Sequence, residues 1–209
     1  SSRGAKPVGD IINYKPTMMA VVPRVLDTIK KAVVEQIDKK SSLVRWMFET
    51  GYNARKRALQ SGRDTPFWNS LVFNKLAAEM GGQLKLILCG GSALLPETHE
   101  WMKIVFKCKL LQGYGLTETC GGCTLQDIFS TDYGHNGGPL SCEIKLEDVP
   151  ELNYFSSSKP PRGEILVRGP QVISEYFKRP ELNKESFTED GFFRTGDIGE
   201  FTEKFELKV

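Results

Sequence analysis

Tyr114-Gly115-Leu116-Thr117-Glu118-Thr119 puts an aromatic ring, a residue without a side chain, a hydroxyl and a carboxylate in one short run. Each type has a use at a ligand. An aromatic at a strand end can stack on a base. Gly115 lets a ligand approach the backbone closely. The Thr117 hydroxyl can donate to a phosphate oxygen. Glu118 can hold Mg²⁺, which prefers oxygen ligands shared with substrate phosphates. On spacing alone, a tight turn with a buried Tyr114 and a capping Thr117 fits equally well. A second pair, Gly196-Asp197, could accept two hydroxyl hydrogen bonds, as sugar-binding carboxylates do. An Asx-turn is the commoner use of such a pair.

The surrounding elements decide whether these residues can meet. Leu84 to Cys89 is a short, mostly apolar run ending in Gly90-Gly91, which predicts a buried strand meeting a glycine turn. Pro96 then opens a helix carrying Trp101, Ile104 and Val105. A second short run, Lys109 to Gln112, ends at Gly113-Tyr114-Gly115. Strand, helix, strand implies a βαβ unit with parallel strands. Ligands bind along the carboxyl edge of such sheets. The spacing therefore nominates Gly90–Ala93 and Gly113–Glu118 as one site.

The first third reads as helical. Leu26, Ile29, Val33 and Ile37 mark one helix face. Ser41 or Ser42 can cap a second helix with Leu43, Trp46, Met47 and Phe48. Its far end carries Arg55-Lys56-Arg57, where cations suit the helix dipole. These cations could also meet membrane or nucleotide phosphates. Thr65-Pro66 is a start signal for a third helix, which runs to Gly81-Gly82. Trp46, Trp68 and Trp101 sit at helical spacing and are expected in the core. The last third reads as β-rich, with strands at Gly163–Gly169, Phe192–Thr195 and Phe205–Val209, the second stopping just before Gly196-Asp197.

The chain has 209 residues, a net charge of +2 and five cysteines. That length suits one large domain or two small ones. Recurrent Leu, Ile, Val and Phe exclude global disorder. Five thinly spread cysteines exclude a disulfide framework. Cys120-Gly121-Gly122-Cys123 has redox or zinc spacing, but it is a single pair, and His99 and His135 have no ligand spacing to it; reduced thiols are expected. His135 in its glycine-rich loop is expected to be structural. No apolar run approaches the ~18 residues of a membrane span. Ser1-Ser2-Arg3-Gly4 has no signal-peptide character and no initiator Met, so a longer parent chain is expected. The charge is uneven, +7 over residues 1–80 and −5 over residues 81–209. A basic half can face phosphates or an anionic membrane, although solvated helix faces explain it as well. A nucleic-acid footprint would be far more basic, so no nucleic-acid partner is expected.

Taken together, Gln112-Gly113-Tyr114-Gly115-Leu116-Thr117-Glu118 and Gly191-Phe192-Phe193-Arg194-Thr195-Gly196-Asp197-Ile198-Gly199 resemble the adenylate-forming superfamily. Val21–Val25, Phe67–Phe73, Cys89–Ala93, Gly134–Pro139 and the run from Gly163-Glu164-Ile165 to Tyr176-Phe177 narrow the resemblance to long-chain fatty acyl-CoA synthetases. It covers nearly the whole chain and displaces the local alternatives. It implies an α/β fold: a parallel-sheet region with packed helices over 1–140, then a smaller β-rich, distorted-barrel subdomain over 141–209. The whole would be part of an adenylate-forming N-terminal domain.

The resemblance also implies roles. Tyr114 matches the adenine-stacking aromatic, and Thr117 the hydroxyl at the α-phosphate. Glu118 matches the Mg²⁺ carboxylate, and Asp197 the acid on the ribose hydroxyls. Gly90, Gly91 and Ser92 match the loop beside adenine and acyl group. Gln112 opens the same nucleotide motif, and Gly113 and Gly115 would line the acyl tunnel. The implied reaction takes ATP, Mg²⁺, a long-chain fatty acid and coenzyme A on the cytoplasmic side, with peripheral membrane contact. An adenylate-forming ligase for another carboxylic acid, or a non-catalytic nucleotide- or lipid-binding module, are the rival readings. The resemblance leaves oligomeric state open. The family's Ser/Thr/Gly-rich phosphate loop and its closing lysine domain have no counterpart here, so the chain alone is expected to lack ligase activity. The family has a turn glycine where this chain has Phe205, which puts the last hairpin in question.

Overall fold

The computed structural model describes residues 9–209. The leader and initiator reading of Ser1–Gly4 lies outside them. The chain divides into two compact units: Ser1–Cys89 with Leu95–Leu110, and Gly90–Leu94 with Leu111–Val209.

The first unit is helical around a parallel strand pair. A short helix α1 (Asp10–Tyr14) precedes strand β1 (Met18–Val21). Helix α2 (Pro23–Asp38) starts on a proline in its first turn and buries Leu26 and Val33, as the apolar spacing predicts. Helix α3 (Ser42–Gln60) begins after Ser41, although no serine side chain caps it. The predicted third helix is less regular. It runs as α4 (Pro66–Trp68), a π-turn (Asn69–Phe73) and α5 (Asn74–Glu79). Strand β2 (Leu86–Cys89) pairs parallel with β1, and α6 (Pro96–Val105) follows.

Arg55 corrects the view of the basic cluster as an outward face. It is buried. Its Nε donates to the Ile104 carbonyl at 3.0 Å, and its Nη1 to Asn69 Oδ1 at 2.8 Å and to Asp64. The Asn69 side chain first, then the Thr65 amide and Arg55, hold the Asp64 carboxyl down at about 2. Lys56 pairs with Glu100 at 2.8 Å. Two of the three cations are thus used inside the unit. Trp101 is core, but Trp46 is 59% exposed, so its helical spacing does not place it in the core.

The second unit is antiparallel. Strand β3 (Lys109–Leu116) pairs with β4 (Gly121–Leu125), and β4 with β5 (Gly138–Pro139). A second sheet runs β6 (Glu143–Glu147), β7 (Arg162–Arg168), β8 (Phe193–Phe201) and β9 (Leu207–Lys208), all neighbours antiparallel. Helix α7 (Pro180–Ser186) lies between β7 and β8 in sequence. Tyr114, Cys123, Ile165, Val167 and Leu207 form a buried core cluster of the second unit. Among the described residues, no helix is long and apolar enough to cross a membrane. All five cysteines are free.

Two strands run further than the sequence predicts. Gly113-Tyr114-Gly115 is not a turn but lies inside β3, because β4 continues the ladder past it. Gly196-Asp197 likewise does not follow a strand; β8 continues to Phe201 through a bulge. Leu166 pairs with Arg194 and Glu164 with Ile198, so Thr195, Gly196 and Asp197 stand opposite Ile165 alone.

The last hairpin forms despite Phe205. That residue sits at φ +59° and its amide donates to the Thr202 carbonyl at 2.9 Å. An L-residue there costs about 1–2 kcal/mol against glycine. Phe205 is 78% exposed, so it recovers little by packing. Phe205→Gly should therefore stabilise the fold by about 1 kcal/mol, read as a higher urea midpoint at unchanged slope. An unchanged or lower midpoint would show that the exposed ring contributes more than the backbone strain costs.

Candidate nucleotide site

The three stretches that carry the proposed site residues, Gly90–Ala93, Gln112–Glu118 and Gly191–Gly199, all fall in the second unit. A Cβ on Gly90 would lie 3.4 Å from the Gly113 carbonyl, so the two glycine segments are adjacent. Gly91 takes φ +85°, a turn that favours glycine. Ser92 follows it and is exposed.

Tyr114 and Asp197 meet directly. The Tyr114 hydroxyl donates to Asp197 Oδ2 at 2.7 Å. The bulge makes this possible. The Thr195 hydroxyl donates to the Ile165 carbonyl at 2.8 Å, and the Asp197 amide donates back to Thr195 Oγ1 at 3.1 Å. Glu164 steadies the other side, its Oε1 accepting the Gly196 amide at 3.2 Å. The other Asp197 carboxylate oxygen accepts no hydrogen bond among the described residues. Burial, above all, pushes the Tyr114 phenol well above its ordinary range, with the Asp197 carboxylate adding to the shift. Tyr114 therefore stays a neutral donor.

Thr117 and Glu118 lie in a short 3₁₀ turn, Thr117–Thr119, that ends β3. Thr119, which the sequence did not single out, makes that turn. Its buried Oγ1 accepts the Leu116 amide at 2.9 Å and lies 2.9 Å from the Gly121 carbonyl. Thr117 is left exposed, with its hydroxyl outside the turn's own bonding. Glu118 Oε1 accepts the Tyr176 hydroxyl at 2.8 Å. Tyr176 was visible only as the end of a motif, with nothing in the sequence linking it to Glu118. Gln112 is buried; its amide donates to Gln126 Oε1 at 2.9 Å, while its own Oε1 accepts no protein hydrogen bond among the described residues.

Gly113 and Gly115 have a backbone reason to be glycine. A Cβ on Gly115 would sit 1.8 Å from the Gly121 carbonyl oxygen, and one on Gly113 2.7 Å from that of Thr124. The close β3–β4 approach excludes a side chain at either position.

His135 has a structural setting, its Nδ1 accepting the Gly137 amide at 3.1 Å. Cys123 is fully buried while Cys120 is exposed at φ +49°, and burial raises the Cys123 thiol. Among the described residues no three or more His, Cys, Asp or Glu side chains cluster as a metal site. Glu118 offers one carboxylate oxygen beyond the Tyr176 bond. That suits Mg²⁺, which takes one or two carboxylates and completes its shell with phosphates and water.

Comparison with known proteins gives the family. Residues 2–177 match the family described as AMP-binding enzyme. The chain is 42% identical over 202 residues to fatty acyl-CoA synthetase A of Dictyostelium discoideum, covering 96% of this chain and 30% of that protein. It is 39% identical over 209 residues to the peroxisomal long chain acyl-CoA synthetase 6 of Arabidopsis thaliana, covering 98% of this chain and 30% of that protein. The chain thus spans about 30% of the length of these curated relatives. The A domain of a carboxylic acid reductase from Segniliparus rugosus, solved with AMP and a co-purified carboxylic acid, superposes with a TM-score of 0.64 at 27% identity, over 95% of this chain and 27% of that one. The mixed α/β architecture is the one that the adenylate-forming N-terminal domains share. The motifs, the strand bulge that brings Asp197 to Tyr114, and the match over residues 2–177 agree: the chain belongs to the AMP-binding enzyme family.

Proposed function

We propose that this chain supplies the adenine, ribose and metal contacts of an ATP-dependent long-chain fatty acid–CoA ligase. The observation that carries this reading is the 2.7 Å bond from Tyr114 to Asp197. It ties the base-stacking ring to the ribose-binding carboxylate, two contacts that one nucleoside needs at once. The relatives' printed names support the acyl-CoA product, and the AMP and carboxylic acid of the solved neighbour support an adenylate intermediate.

In this reading the fatty carboxylate attacks the α-phosphorus of ATP. An acyl-adenylate forms and pyrophosphate leaves with the broken P–O bond's electron pair. The CoA thiol then attacks the acyl carbon, gives up its proton and displaces AMP. Tyr114 stacks on adenine. Asp197 accepts the ribose hydroxyls with the oxygen that Tyr114 does not use. Thr117 donates to the α-phosphate, and Gln112 Oε1 is a buried acceptor on the same strand. Gly90, Gly91, Ser92, Gly113 and Gly115 keep backbone, rather than side chains, beside the nucleotide and acyl group. Glu118 would hold Mg²⁺, which when bound neutralises charge on the phosphates. The protein's share is positioning and charge stabilisation.

The division at residue 140 belongs to the same proposal, with 1–140 as the helical and α/β part and 141–209 as the β-rich subdomain. So does peripheral contact with a membrane on the cytoplasmic side, where the acyl substrate dissolves.

The test uses the full-length protein carrying this chain. ATP, Mg²⁺, CoA and a series of carboxylic acids are supplied, and pyrophosphate and acyl-CoA are measured. Turnover that peaks on long-chain fatty acids is expected. A peak on short or aromatic acids would favour a different ligase, and AMP binding without turnover a binding module. Asp197→Asn should raise the KM for ATP about 10- to 100-fold, since charge-assisted bonds contribute about 1.5–3 kcal/mol. An unchanged KM would remove Asp197 from the ribose.

A further inference from the structure

Glu118 is held from two directions by one connection, the segment between β7 and α7. Its backbone carbonyl accepts the Ile173 amide at 2.8 Å, and its side-chain Oε1 accepts the Tyr176 hydroxyl at 2.8 Å. That connection is itself anchored. The Tyr176 amide donates to Asn183 Oδ1 at 2.6 Å, and Asn183 Nδ2 donates back to the Tyr176 carbonyl at 3.4 Å. Asn183 lies in α7, which starts on Pro180.

We propose that Tyr176 is a positioning residue for the Glu118 carboxylate, and that Asn183 sets Tyr176 in place for it. The proposal rests on reading Glu118 as the Mg²⁺ ligand and adds how that ligand is oriented.

The physical reasons are three. A free glutamate loses up to about 2 kcal/mol of rotamer freedom when a ligand orders it. A carboxylate already anchored at one oxygen has lost much of that freedom in advance. Mg²⁺ also demands near-ideal octahedral geometry, so a carboxylate presented in one orientation suits it better than a mobile one. Finally, a phenol orients without neutralising. A Lys or Arg in the same place would compete with the cation for the charge of Glu118, whereas the Tyr176 hydroxyl leaves that charge available. Groups that hold a metal ligand from behind commonly change metal affinity 10- to 100-fold when removed.

The arrangement also explains a feature of the sequence. Tyr176 stands 58 residues from Glu118, in a segment with neither strand nor helix. Its ring is part-buried. Its side-chain hydroxyl bonds Glu118, while its backbone bonds Asn183.

The experiment uses the full-length protein and Mn²⁺ as the probe. Bound Mn²⁺ is counted by electron paramagnetic resonance in the presence of a non-hydrolysable ATP analogue, and AMP affinity is measured separately without metal. Tyr176→Phe should weaken Mn²⁺ binding about 10- to 100-fold while AMP affinity stays near the wild-type value. The half-saturating Mg²⁺ for pyrophosphate exchange should rise in parallel. A purely structural role for Tyr176 would lower metal and AMP affinity together. Glu118→Ala separates the two layers. Where Glu118→Ala weakens Mn²⁺ binding and Tyr176→Phe does not, the positioning role is wrong and the Glu118 reading stands. Where neither changes Mn²⁺ binding, Glu118 is not the ligand and both ideas fall. In the double variant Tyr176→Phe should add nothing to Glu118→Ala; an additive loss would overturn action through Glu118. If Tyr176→Phe fails to fold, Asn183→Ala decides, with a smaller loss of Mn²⁺ affinity expected and wild-type affinity counting against the proposal.

Discussion

Glu118→Ala in the full-length protein should lower ATP–pyrophosphate exchange about 10²- to 10³-fold. That is the usual cost of removing one group that stabilises developing charge in a water-poor site. The expectation follows from the placement of Glu118 at the end of β3, beside the exposed Thr117 hydroxyl and with one carboxylate oxygen beyond the Tyr176 bond. Loss should be greatest at low Mg²⁺ and partly relieved by excess metal, because the carboxylate acts through the cation's affinity. AMP binding without metal should hardly change, since Tyr114 and Asp197 make their own bond in the other part of the site. Exchange that survives intact would remove Glu118 from the metal, whatever its resemblance to the family's carboxylate.

Gly115→Ala should unfold or severely destabilise the second unit, by more than about 4 kcal/mol. The added Cβ would lie 1.8 Å from the Gly121 carbonyl oxygen and 2.8 Å from the Gly122 Cα. Those atoms are backbone of the paired strand and cannot rotate aside. The strain is steric rather than conformational, because Gly115 is not among the positive-φ residues. Gly90→Ala is the matched control. Its Cβ would meet only the Gly113 carbonyl at 3.4 Å, and a change within about 1 kcal/mol is expected. Thermal and urea unfolding measure both. A Gly115→Ala protein that is stable but inactive would instead favour the acyl-tunnel role that the resemblance gives this glycine.

The helices were legible because their cause is local. Leu26 and Val33 recur at helical spacing and are buried, and proline opens α2, α4 and α6 at positions where its missing amide costs nothing; α7, also opened by proline, lies in the stretch read as β-rich. The third helix was legible in place but not in kind. Its π-turn is accompanied by Asn69 turning to Arg55 and Asp64, partners that periodicity does not register. Trp46 misled for a related reason: helical spacing shows that residues share a face, not that anything covers it.

The glycine motifs misled in one consistent way. Gly113-Tyr114-Gly115 and Gly196-Asp197 both look like turns, since glycine commonly ends a strand. In both places a neighbouring strand continues the ladder and the glycine serves close approach or a bulge. Phe205 shows the reverse. A turn forms without its glycine because β8 and β9 pair on either side of it, and Leu207, fully buried, ties the second strand to the core.

By itself the sequence determined the family, the main helices and the strands around the glycine motifs, and it nominated the residue types proposed for the nucleotide. Those depend on short runs whose chemistry is contained within a few positions. Tertiary structure alone decided which side chains act together. Tyr114 reaches Asp197 across 83 residues, and Tyr176 reaches Glu118 across 58. Such pairs leave no local pattern, because their geometry comes from strand register, a bulge opposite Ile165, and a connection pinned by Asn183. A carboxylate's neighbour sets what it can bind, and here that neighbour is distant in the chain.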